Sequence, residues 1–142
     1  MVTGYSWAGI RADNFEETVR FFERLFGFSS DVNGENIALF KLPSGQKFEI
    51  IGPANPWTAL HERPVLAFDV EDIYAARQDL KERGITFLTD IKLNETGGAF
   101  FYFVGPEAIV YSLSQKSPEE SAVVAANREG SLARPKVAED AI

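Results

Sequence analysis

Apolar positions along the chain switch repeatedly between a spacing of two and a spacing of three or four. "YSWAGIRA" (5–12) alternates and predicts a strand. "NFEETVRFFERLFG" (14–27) places Phe15, Val19, Phe22 and Phe26 on one helical face, with Asn14 and Glu17 as a capping box and Gly27 as the stop. Three strands follow, "FSSDV", "ENIALFKL" and "QKFEIIG". The pairs Asn33–Gly34 and Ser44–Gly45 mark the turns between them. The order strand, helix, three strands then recurs. "PVLAFDV" (64–70) is a strand, and "DIYAARQDLKERG" (72–84) a helix capped by Asp72 and stopped by Gly84. "ITFL", "AFFYFV" and "AIVYSLS" are three further strands.

The two halves superimpose by simple shifts. A shift of 58 places Trp7 on Val65 and Asn14 on Asp72, and a shift of 63 places Phe40 on Phe103, Pro43 on Pro106 and Glu49 on Ser112. An internal duplication of this kind predicts an α+β chain of two tandem βαβββ modules, 4–52 and 64–115, forming one domain over 1–115. "PANPWTALHER" (53–63) links them. Residues 116–142 lie outside both copies: Ser117, Pro118 and Glu120 predict a short helix ending at Gly130, and a polar tail follows.

Strand alternation divides the side chains further. Ala8, Ile10, Phe48, Ile50, Leu66, Phe68, Val70, Ile109, Tyr111 and Leu113 form an apolar set suited to packing under the helices. The alternate set mixes Trp7, small residues and charges: Gly9, Arg11, Lys47, Glu49, Ile51, Val65, Ala67, Asp69, Val110, Ser112 and Ser114. That mixture suits a concave pocket with a few polar anchors. In "FFYF" (100–103), either Phe101 and Phe103 or Phe100 and Tyr102 enter the core, and the other pair is free to line the cup.

Composition narrows the chemistry. The 142 residues carry a net charge of −7, which argues against nucleic acid. No cysteine exists, so disulfides and thiolate sites are excluded, and His61 is the sole histidine. No apolar stretch approaches a membrane span. The first residues lack a signal-peptide pattern, so a cytoplasmic location is the expectation.

The ordered elements, with "FFERLFGF" and "LPSGQKFEIIGP" in the first half and "VLAFDVEDIYAARQDLKERGITF" and "FYFVGPEAIVYSLSQ" in the second, resemble the glyoxalase/bleomycin-resistance/dioxygenase superfamily (vicinal oxygen chelate proteins) over residues 4–115. The resemblance implies a cupped mixed sheet with helices outside, a ligand inside the cup, and a homodimer. It also implies four metal-ligand positions, which carry over to Trp7, Val65, Glu49 and Ser112. Indole and isopropyl groups offer no lone pair to a metal, so this departure points to a site with no metal and no cofactor.

Three functions remain open. The first is a metal-free protein that binds or sequesters an aromatic or cationic small molecule through Trp7, Arg11, Glu49, Asp69, Ser112, Trp57 and His61. The second is a lyase, isomerase or dioxygenase of the same fold, using Glu49 as base or with His61 and Glu107 as residual ligands. The third is a structural or regulatory subunit with a vestigial cup. No residue is assigned a catalytic role by the sequence.

Overall fold

A computed structural model describes residues 1–94 and 97–121. Its framework is a curled mixed sheet with both helices on the outside. The first module comprises β1 (Val2–Arg11), α1 (Phe15–Phe26), β2 (Val32–Gly34), β3 (Ile37–Lys41) and β4 (Lys47–Ile51). A 3-10 helix, Pro56–His61, occupies the linker. The second module comprises β5 (Val65–Val70), α2 (Ile73–Glu82), β6 (Thr86–Phe87), β7 (Lys92–Leu93), β8 (Ala99–Val104) and β9 (Val110–Gln115). The strands run in the order β2-β3-β4-β1-β5-β9-β8-β6, with β7 also paired to β8.

The duplication is visible in the register. β1 and β5 pair antiparallel about Ala8 and Leu66, while β4 lies parallel to β1 and β9 parallel to β5. Glu49 therefore sits beside Gly9 as Ser112 sits beside Ala67. This is the equivalence of Glu49 with Ser112 that the repeat predicts.

Each helix covers its own module. α1 opens with the Asn14 side chain accepting from the Glu17 N–H at 3.4 Å and closes at Gly27, whose φ of 85° suits a residue without a Cβ. Its face, Phe15, Val19, Phe22 and Phe26, packs on Ala38, Phe40, Phe48 and Ile50. α2 opens on Asp72, which accepts from the Tyr74 and Ala75 N–H groups, and buries Ile73 against Val70, Phe101 and Leu113. Phe101 and Phe103 thus belong to the outer core, leaving Phe100 and Tyr102 on the concave side.

Three local expectations change. The first hairpin turns at Glu35–Asn36 rather than Asn33–Gly34, with Asn36 taking the positive φ of 56° that asparagine tolerates. The strand expected at 85–88 shortens to β6, and β7 is a further short strand beyond it that the sequence pattern does not mark. Leu66, expected under the helices, keeps 39% of its surface because neither helix covers the middle of the sheet.

At the C-terminal side, Ser117 and Glu120 form the expected capping box. The Ser117 hydroxyl accepts from the Glu120 N–H, and the Glu120 carboxylate accepts from the Ser117 N–H, both at 3.1 Å. The remainder of the expected helix to Gly130, and the polar tail, lie outside the described residues.

Candidate functional site

The concave face gathers the alternate residue set. A β-bulge between Tyr5 and Trp7 turns Tyr5 outward onto Phe68 while Trp7 faces inward beside Lys47 and Ala67. The next inward row is Glu49, Gly9 and Val65. On the other half, Ser112 and Tyr102 are register partners, as are Ser114 and Phe100.

An aromatic wall rises from these rows. Trp7 donates its indole N–H to Ser114 Oγ at 3.2 Å, and its ring lies 6.0 Å from Tyr102 and 6.1 Å from His61, centroid to centroid. The linker helix delivers two more rings. It starts at Asn55, whose side chain accepts from the Trp57 N–H at 2.9 Å, with Pro56 in the first helical position. Trp57 then stacks on Tyr102 at 5.4 Å, and His61 meets Tyr102 edge-on at 5.7 Å. The signal for the linker rings in the sequence is only their presence between the modules; the 3-10 helix is what carries them into the cup.

His61 is almost fully buried. Its Nδ1 lies 3.0 Å from the Trp57 carbonyl, which can only accept, so the proton resides on Nδ1. Nε2 therefore presents a bare lone pair, and among the described residues it has no hydrogen-bond partner. Burial lowers the His61 pKa, against a smaller opposing effect of the Trp57 carbonyl, and favours this neutral form.

Glu49 is the carboxyl of the cup. Burial raises its pKa to about 7, and nearby Lys47 only partly opposes the shift. Tyr102 is raised too, first by burial and then by the charge of Glu49. Glu49 forms no ion pair among the described residues, although Arg11 and Lys47 share its face. Arg11 is exposed and bonds Asp13 at 3.1 Å, and Lys47 pairs with Glu120. Glu49 accepts no hydrogen bond among the described residues, so its carboxyl is uncommitted chemically.

Asp69 and Ser114 lie at the far end of the face. Asp69 is nearly buried; one carboxylate oxygen pairs with Lys116 and the other, Oδ1, has no partner. Lys47, Asp69, Lys116, Glu120, Trp7 and Phe100 border a cavity of about 70 Å³. Lys116 and Glu120 had no site role in the sequence reading; only the capping pattern marked the segment that carries them. Glu107 is exposed in the turn after β8, away from this cluster, with a φ of 61°.

The four carried-over positions do not suit a divalent ion. Trp7 and Val65 have no lone pair to give, and the Ser112 hydroxyl is turned to a backbone carbonyl at 3.4 Å. Glu49 and His61 are the remaining donors near Gly9, and no three His, Asp or Glu side chains converge among the described residues.

The sequence profile of the Glyoxalase/Bleomycin resistance protein/Dioxygenase superfamily matches residues 4–110, and the chain belongs to that superfamily. No curated protein matches the sequence significantly. Among solved structures, a variant of Streptomyces coelicolor methylmalonyl-CoA epimerase in complex with 2-nitronate-propionyl-CoA is similar, with a TM-score of 0.66 and 18% identity over 83% of this chain and 97% of that one. The methylmalonyl-CoA epimerase of Mycobacterium tuberculosis aligns with a TM-score of 0.64 and 18% identity, covering 85% of this chain and 93% of its own. A Legionella pneumophila structure described as an NAD-dependent benzaldehyde dehydrogenase gives a TM-score of 0.58 and 13% identity, over 77% of this chain and 96% of that one. At these identities the likeness concerns the fold.

Proposed function

We propose that the cup binds a planar aromatic small molecule without a metal, and that Glu49 anchors a hydrogen-bond donor or cation on it. The observation that carries this reading is an uncommitted, half-buried carboxyl beside an aromatic wall of Trp7, Tyr102, His61 and Trp57. Stacking on an indole adds about 1 kcal/mol beyond area burial. A charge-assisted hydrogen bond to a desolvated carboxylate adds about 1.5–3 kcal/mol. Asp69 and Ser114 shape the polar end, Ser112 gives only a small buried side chain beside Tyr102, and exposed Arg11 is left at the rim. The test is a fluorescence screen in a Trp57→Phe background, where Trp7 is the sole indole. Trp7→Ala and Glu49→Gln should each weaken binding by about tenfold or more. Unchanged affinity in both would remove the reading.

A second reading has its own support. A carboxyl with a pKa of about 7 and no hydrogen-bond partner is suited to take and return a proton at neutral pH. In that case the bound molecule is a carbon acid, and Glu49 takes a proton from its C–H and returns it. Deuterium exchange from solvent into a bound acid, lost in Glu49→Gln, distinguishes turnover from binding.

We also propose a homodimer. The sheet path ends at β2 and β6, and Phe21 and Leu25 are exposed on α1. Sedimentation should give twice the chain mass, and a clean monomer at tens of micromolar would contradict it.

A further inference from the structure

Two cations border the small cavity beside Trp7, and each is held by a carboxylate, but the two pairs differ in kind. Lys116 holds Asp69, whose side chain is only 5% exposed. Asp69 belongs to the sheet's interior while Lys116 reaches it from a partly exposed position, so removing the lysine would strand a buried charge. Lys47 holds Glu120, and these side chains are 30% and 28% exposed. Glu120 does not come from the cup at all. It belongs to the segment 116–121, which leaves β9 and carries the Ser117–Glu120 capping box over the end of the concave face.

Lys47 is the register partner of Trp7 and lies two residues from Glu49 on the same face of β4. A planar molecule lying on Trp7 would thus have a lysine at one edge and Glu49 near another. In the structure a carboxylate already stands at that lysine, supplied by the chain itself.

We propose that residues 116–121 form a strap across the cup, and that Glu120 holds at Lys47 the place of a carboxylate on the ligand. The inference rests on the binding reading above and specifies its ligand class: an aromatic acid whose ring lies on Trp7 and whose carboxylate meets Lys47. Binding exchanges one carboxylate for another at Lys47, so the lysine stays paired and the released Glu120 passes to solvent. Release of Glu120 is cheap, because a partly exposed ion pair changes an equilibrium by about fivefold or less. Asp69 keeps Lys116 throughout and acts as the hinge-side anchor of the strap.

The test uses the full chain with 1-naphthoate and 1-naphthamide, which share a ring system and differ in the anion. Affinities are measured by calorimetry for the parent protein, Glu120→Gln and Lys47→Met. Glu120→Gln should tighten 1-naphthoate by about three- to fivefold and change 1-naphthamide by less than about twofold. Lys47→Met should abolish any preference for the acid. Equal tightening of both compounds would mean that the strap acts only as a steric cover, and would overturn the exchange. So would an unchanged Glu120→Gln variant, or no binding of 1-naphthoate to any of the three proteins. Binding of 1-naphthamide, sensitive to Trp7→Ala and Glu49→Gln, judges the underlying reading separately.

Discussion

Gly9 lies against His61 so closely that a Cβ on residue 9 would stand 2.9 Å from Nε2 of the imidazole and 3.0 Å from the Trp7 ring. The glycine is what allows the linker helix to lower His61 onto the inner face of the sheet. Gly9→Ala should therefore push His61 and Trp7 apart and lower stability by about 1–3 kcal/mol. Denaturant unfolding measures the loss, and a red shift of tryptophan emission in a Trp57→Phe background reports the displaced indole. An alanine variant with parent stability and emission would show that the ring stack is not held by this contact.

The two lysine pairs should separate cleanly on substitution. Lys116→Met leaves Asp69 buried and charged without its partner; with Lys116 itself partly exposed, the expected loss is about 2 kcal/mol. Lys47→Met breaks a more exposed pair and should cost less than about 1 kcal/mol. Chemical denaturation of both variants at pH 7 checks the ranking, and equal losses would contradict it.

Much of this site was legible in the sequence, for a physical reason. Strands alternate wherever no bulge intervenes, as from Trp7 onward in β1, so placing Trp7, Glu49, Ala67 and Ser112 on one face needs only the strand assignment. The repeat adds the equivalence of Glu49 with Ser112, because duplicated modules share their register. What alternation does not carry is contact across loops. Trp57 and His61 reach Tyr102 through a 3-10 helix whose path depends on Asn55 and Pro56. The Asn33–Gly34 pair favoured a turn that the strand pairing moved two residues onward to Glu35–Asn36. Nor does alternation say which charges on one face pair: Asp13 takes Arg11, and Glu120 takes Lys47.

Stability should respond to pH in opposite directions at two groups. Glu49 is raised in the folded state from 4.5 to about 7, so its favourable contribution is complete below pH 4.5 and is lost as pH rises toward 7. The full span is on the order of 3 kcal/mol. His61 is lowered from 6.5, so its contribution is present above that value and is lost as the pH falls below it. Glu49→Gln keeps the neutral form at every pH. It should match the parent at pH 4.5 and exceed it in melting temperature at pH 8, as thermal unfolding across that range would show. A variant less stable than the parent at pH 8 would mean that the ionised carboxylate is satisfied in the fold.

On the binding proposal, Glu49 is a free carboxyl that receives, beside Trp7, a donor on an aromatic ligand. The most direct measurement is the titration of its side-chain carboxyl by carbon-13 NMR, with Glu49→Gln assigning the signal. It should be run alone and with saturating amounts of naphthalene and indole amides. The account predicts a midpoint near pH 7 in the free protein. A bound amide that donates to the ionised form should move this midpoint down by about one unit or more. A free-protein midpoint near 4.5, untouched by every amide that binds, would contradict the account.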